Sequence, residues 1–206
     1  MPIETIYPTQ CKGRPMGAQP SRRKSDLFEP DELVALARHD IEQDRIEDAL
    51  SKLKQVLAQP KPFAEGIVIA ARLYAQLGLF KRAQELFEQY LAINPNAPVE
   101  TFQLGMAHFD SGEFPQAQQL WEKLLKLQPT HPPALFYSGL MAAQQGKIAD
   151  AKHQLDILLK SAPEDNLYFG RAKELLKSID DGLQIAIAKE SHSSALATPN
   201  AYGTEH

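Results

Sequence analysis

The chain has 206 residues, of which 43% are hydrophobic and 23% charged, the composition of one ordinary globular domain with some tail. Its 22 Lys and Arg against 26 Asp and Glu leave a formal charge of -4, which argues against the broad positive field that nucleic acid requires of a partner. The single cysteine, Cys11, allows no internal disulfide and no multi-cysteine metal centre, and fits a reducing, cytoplasmic setting.

In chain order, residues 1 to 26 read as a disordered tail rich in Pro, Gly and Ser, with Lys12, Arg14, Arg22, Arg23 and Lys24 as solvated charge. Met1 to Gln10 contain Pro2, Glu4 and Pro8 and no apolar run, so they do not resemble a secretory segment. The residues before Cys11 do not make a lipoprotein cleavage site. No window approaches the roughly 20 apolar residues of a membrane span, so no membrane insertion is expected.

From Pro30 the sequence becomes periodic. Pro95, Pro129 and Pro163 stand 34 residues apart, and stepping that period divides the chain into four units at about 30–63, 64–97, 98–131 and 132–165. Small residues recur at Ala37, Ala71, Gly105 and Gly139, and again at Ala49, Ala83, Ala117 and Ala151. Between these columns lies a turn column of Asp44, Gly78, Gly112 and Gly146, and after them a bulky column of Leu53, Phe87, Trp121 and Leu155. Small side chains on both arms of a helical hairpin let the two backbones approach, and the bulky column fills the space beside them. A glycine after the first arm supplies the left-handed residue that lets the chain reverse. Pro115 suits the first turn of a helix, whereas Pro95, Pro129 and Pro163 suit positions past helix ends.

After Pro163, apolar residues at Tyr168, Ala172, Leu175, Leu176, Ile179 and Leu183 recur at steps of three or four, which predicts an amphipathic helix over about 164–189. It is expected to cap the fourth unit with Lys173, Glu174 and Lys177 in solvent, and Asp180, Asp181 and Gly182 mark a break. Residues 190 to 206 read as a second disordered tail.

The residue patterns of catalysis are missing. There is no glycine-rich phosphate loop, no GxSxG and no HExxH, so the expectation is a protein that is not an enzyme and carries no cofactor and no metal. His39, Asp40 and Asp44 read as a polar surface patch. His108 falls in the column of Tyr74 and reads as a packed histidine, His131 lies in a loop between Pro129 and Pro132, and Cys11 is an incidental thiol.

The in-register columns resemble the tetratricopeptide repeat family over about residues 30 to 163. The second and third units match best, through Ala71, Tyr74, Gly78, Ala83, Phe87 and Pro95, and through Leu104, Gly105, Gly112, Ala117, Trp121 and Pro129. The first unit departs from the pattern, with Asp40 in the tyrosine column, Asp44 in the glycine column, and Pro60 and Pro62 around the expected proline. The resemblance implies an all-α, right-handed superhelical stack of about four hairpins closed by a capping helix. It also implies a concave groove, lined by the first helix of each unit, that holds an extended or helical segment of a partner protein. In this register the groove floor is Val34, Val68, Phe102 and Phe136, with Arg38, Arg72, Met106 and Leu140 beside them. Phe109 and Tyr137 add to an aromatic C-terminal end, opposite an N-terminal end whose arginines suit an acidic residue or pair internally with Asp31, Glu42 or Glu65. The expected function is a scaffold or adaptor; the alternative is a secretion-type chaperone holding an apolar client segment. A clamp for heat-shock chaperone tails is not expected, since the matching places hold Val34, Arg38, Ile69, Val99 and Gln103 in place of Lys and Asn. A homodimer through the divergent first unit is a further expectation.

Overall fold

The structure, a computed structural model, describes residues 28 to 181. Both expected tails, Cys11 and the last stretch of the helix expected to reach residue 189 lie outside the described residues. The described residues form nine helices and no strand: α1 (Pro30–Glu42), α2 (Ile46–Leu57), α3 (Ala64–Gln76), α4 (Phe80–Ile93), α5 (Pro98–Asp110), α6 (Phe114–Leu127), α7 (Pro132–Gln144), α8 (Ile148–Ser161) and α9 (Leu167–Asp180).

Local chemistry accounts for the helix ends. Pro30, Pro98 and Pro132 open α1, α5 and α7, where a missing N–H would have had no partner, and Pro115 sits in the first turn of α6. His131 caps α7 by accepting the Ala134 N–H at its Nδ1 (3.3 Å), and Asn166 caps α9 by accepting the Tyr168 N–H (2.9 Å). His131 is thus a helix cap, not merely a loop residue. Helices α4, α6 and α8 stop two residues short of Pro95, Pro129 and Pro163, because proline drives the residue before it out of helical conformation.

The turn inside each hairpin is one motif used four times. Gly78, Gly112 and Gly146 have φ of 71°, 81° and 74°, and Asp44 fills the same place at 57°. At the second turn the Gly78 N–H donates to the Ala75 carbonyl (3.0 Å) and the Leu79 N–H to the Tyr74 carbonyl (2.8 Å), and the other three turns repeat both bonds.

Each pair of helices packs as an antiparallel hairpin, α1 on α2, α3 on α4, α5 on α6 and α7 on α8. The small column and the bulky column meet at the crossings, and Leu53, Phe87, Trp121 and Leu155 are wholly buried there. Helix α9 packs on α8 and α7 through Phe169, Ala172 and Leu175, with Lys173, Glu174 and Lys177 exposed as expected of a cap, and Lys152 pairs with Asp180 at its end. First helices also touch the next first helix, α1 with α3, α3 with α5 and α7 with α9, whereas second helices make no comparable contact with one another. The stack therefore curves with its first helices on the inside.

Candidate functional site on the inner face

Helical periodicity places every third or fourth residue of α1, α3, α5, α7 and α9 on the inner face, and the 34-residue period lines those positions up from unit to unit. Arg38 of α1 pairs with Glu65 of α3, one of the partners expected for it. Arg72 of α3 reaches forward to α5 instead, with Nη2 2.8 Å from Glu100 Oε1 and Nε donating to Gln103 Oε1 at 3.0 Å. Two charge-assisted bridges thus stitch three successive first helices. Burial, together with the Glu100 carboxylate, pushes the Tyr90 phenol above its ordinary value.

The expected floor is mostly core. Val34, Val68, Phe102, Met106, Phe109, Tyr137 and Leu140 are only 1 to 8% exposed, so in the described structure they pack helices together and do not form an open lining. The physical reason is packing from two sides, the second helix of the same hairpin (Trp121 against Phe102 and Phe109) and the next first helix (Tyr137 against both), which together cover positions that a single amphipathic helix would leave open. The Phe102 ring lies 5.9 Å from both Trp121 and Tyr137, and Tyr137 lies 5.4 Å from Trp121, a continuous aromatic core. Burial raises the Tyr137 phenol far above its ordinary value, which keeps it neutral. Of the expected residues, Arg38 is exposed, Arg72 is partly so, and Phe136 is half-buried with its ring 5.6 Å from Tyr168 of α9.

One column of the inner face escaped the sequence reading. Near the starts of the first helices, Asp31, Glu65, Val99, Pro133 and Leu167 align at the 34-residue period, acidic at one end and apolar at the other. Val99 is 37% and Leu167 58% exposed, high for aliphatic side chains. The signal was available, since stepping the period from Asp31 into α9 finds them; treating α9 only as a cap hid it.

The polar patch around Asp40 is self-contained. The cations of Lys52 and Arg45 bond the carboxylate and hold Asp40 below its ordinary range, while the His39 ring stands 3.9 Å from Glu42. Among the described residues no group of three or more His, Cys, Asp or Glu is arranged to hold a metal ion. No described helix is long and apolar enough to cross a membrane.

Solved structures with this architecture include MamA 41-end from Desulfovibrio magneticus RS-1, with a TM-score of 0.63 and 17% identity over 82% of this chain and 93% of that one. A tetratricopeptide repeat protein from Parabacteroides merdae ATCC 43184 is similar at a TM-score of 0.64 and 16% identity, over 82% of this chain and 68% of that one. YrrB, described as a tetratricopeptide repeat protein with an unusual peptide-binding site, has a TM-score of 0.62 and 17% identity over 70% of this chain and 74% of that one. At such identities the likeness concerns the fold alone, and no curated protein sequence matches the chain. Two family profiles, both described as tetratricopeptide repeat, match residues 40–103 and 102–166 and so span more than half of the sequence. Period, hairpin turns, packing columns and profiles agree, and the chain belongs to the tetratricopeptide repeat family.

Proposed function

We propose that the protein is a non-catalytic cytoplasmic scaffold that holds a segment of a partner protein along the inner face of its first helices. The observation that carries this reading is the exposed column ending in Val99 and Leu167, beside half-buried Phe136 and Tyr168, on a face that begins with Asp31, Arg38 and Glu65. A segment with an apolar anchor at one end and charge at the other fits that gradient. Arg38 and Arg72 are engaged by Glu65 and Glu100, so an acidic residue on the partner would exchange with these carboxylates, which sets the register of the segment while the apolar end supplies the affinity. The peptide-binding site described for YrrB, on a similar fold, supports a peptide as the ligand class.

A chaperone that holds an apolar client segment is the narrower form of the same reading, favoured by the Phe136 and Tyr168 rings at the apolar end. Self-association would use the other end of the stack. Leu36 of α1 is 36% exposed, while Ala70, Leu104 and Ala172, its counterparts in later units, are covered.

The test compares capture of a partner from native lysate by the wild type, by Val99→Glu with Leu167→Glu, and by Leu127→Glu at the exposed end of α6. All three positions are exposed, and circular dichroism checks that helix content is kept. Loss of the partner in the double variant alone supports the reading. Loss only in Leu127→Glu would move the site to the outer face.

A further inference from the structure

The outer face has its own feature. Because the second helices splay apart, a cavity of about 350 Å³ opens between α2 and α4, within the size range of small-ligand pockets. Tyr74 of α3 lines it. The tyrosine is 6% exposed, and its hydroxyl is neither enclosed nor hydrogen-bonded among the described residues. A buried ring with an unengaged hydroxyl on a cavity is a donor held ready. Leu57 and Leu86 form half-buried apolar walls. Lys54 stands on the α2 side without an ion-pair partner among the described residues, and Arg82 on the α4 side meets Glu85, one turn away, at 3.3 Å in an exposed and therefore weak pair.

Comparison with the neighbouring units gives the cavity its chemistry. The place of Tyr74 is taken by Asp40 in the first unit and by His108 in the third. There the protein supplies its own carboxylate: Asp40 itself, held by Lys52 and Arg45, and Glu113, held by Lys81 against His108. In the second unit the corresponding turn residue is Leu79, which brings no charge to Tyr74, and Leu86 replaces Lys52. A phenol donor, two flanking cations and two aliphatic walls remain, together with Gln89 and with the Glu85 carboxylate, whose exposed pair with Arg82 an incoming carboxylate would have to displace.

The geometry points to a binding site on the outer face, between the first two units, for a carboxylate side chain carried next to an aliphatic one on a protein segment. The carboxylate sits between Lys54 and Arg82 and accepts the Tyr74 O–H, and the aliphatic neighbour packs on Leu57 and Leu86. This site is separate from the inner face and does not depend on it.

The test titrates the full chain with N-acetyl-Leu-Glu-amide and, separately, with N-acetyl-Leu-Gln-amide, following backbone amide resonances. The expected result is saturable shifts confined to residues 54–58 and 82–89, with at least fivefold tighter binding of the Glu peptide. Lys54→Ala and Arg82→Ala, both at exposed positions, lose that preference, and Tyr74→Phe weakens binding several-fold with an unchanged melting temperature. Equal affinity for the two peptides, no saturable shift with either, or shifts centred on Arg72 of the inner face would each overturn the assignment.

Discussion

The Nδ1 of His108 lies 2.7 Å from Oε2 of Glu113, and this pair repeats, with its polarity reversed, the bridge between Asp40 and Arg45 two units earlier. Both pairs span one hairpin turn. The Glu113 N–H bonds the His108 carbonyl at 2.8 Å and the Arg45 N–H bonds the Asp40 carbonyl at 2.7 Å, so the turn's backbone makes the side chains neighbours. Lys81 and Gln84 of α4 join Glu113, which ties the second unit to the third.

The Glu113 cluster predicts acid sensitivity. The Lys81 ammonium, and after it His108, pull the Glu113 carboxyl from 4.5 down to about 2. A depressed folded-state value means that the unfolded chain binds the proton more tightly. The stability is therefore fully present above the ordinary 4.5 and is lost as pH falls through about 2. Asp40, lowered by Lys52 and then Arg45, acts in the same direction below its ordinary 3.8. Thermal melts between pH 5 and pH 2 will fall more steeply for the wild type than for Glu113→Gln, and parallel curves would refute the role given to this carboxylate.

Gly105 is required by its bulky neighbour. A Cβ built there would come within 2.2 Å of Trp121 Nε1, and the indole is wholly buried and donates to the Phe102 carbonyl at 3.3 Å. With no room for the ring to move, Gly105→Ala costs about 1–3 kcal/mol or more by overpacking. Trp121 is the chain's one tryptophan, so its fluorescence reports the change directly during denaturant unfolding. Gly139→Ala meets Leu155 Cγ at 3.0 Å and loses less.

Ser138 illustrates the opposite case. Its Oγ is buried in α7 without a hydrogen-bond partner, in the column held by Ala70 and Ala172 elsewhere. Ser138→Ala removes an unsatisfied hydroxyl and adds a better helix former, so stability should rise by up to about 1 kcal/mol, measured by urea unfolding. A clear loss of stability would mean that the hydroxyl has a role that its surroundings do not reveal.

The fold was legible because its turns demand particular residues. A left-handed residue after each first helix calls for glycine, and close helix crossings call for Ala or Gly facing Leu, Phe or Trp, so the 34-residue columns carried the architecture. The inner face was less legible. Periodicity places Phe102, Met106 and Leu140 on one side of a helix but does not say whether the next first helix covers that side. Burial of Val34 and Phe109 likewise depends on other helices, Val34 packing with Val56 and Ile69, and Phe109 with Trp121 and Tyr137. The partner of Arg72 was missed although Glu100 stands at nearly the offset that joins Arg38 to Glu65.

Asp44 is the one described non-glycine residue at positive φ, at 57°. Aspartate tolerates this conformation at a cost that glycine avoids, partly offset by the greater freedom of glycine in the unfolded chain. Asp44→Gly is expected to stabilise the first unit by up to about 1 kcal/mol, visible as a raised midpoint in urea, whereas a lowered midpoint would give the aspartate side chain a part in the turn.

The central claim, that a partner segment lies along the first helices, is tested most directly by placing a photo-crosslinking amino acid at Val99 or Leu167 on the inner face and at Ile93 or Leu127 on the second helices, all four of which are exposed. Crosslinking in cells should trap one common partner from the two inner positions and not from the outer two. A partner trapped only from Ile93 and Leu127 would contradict the account.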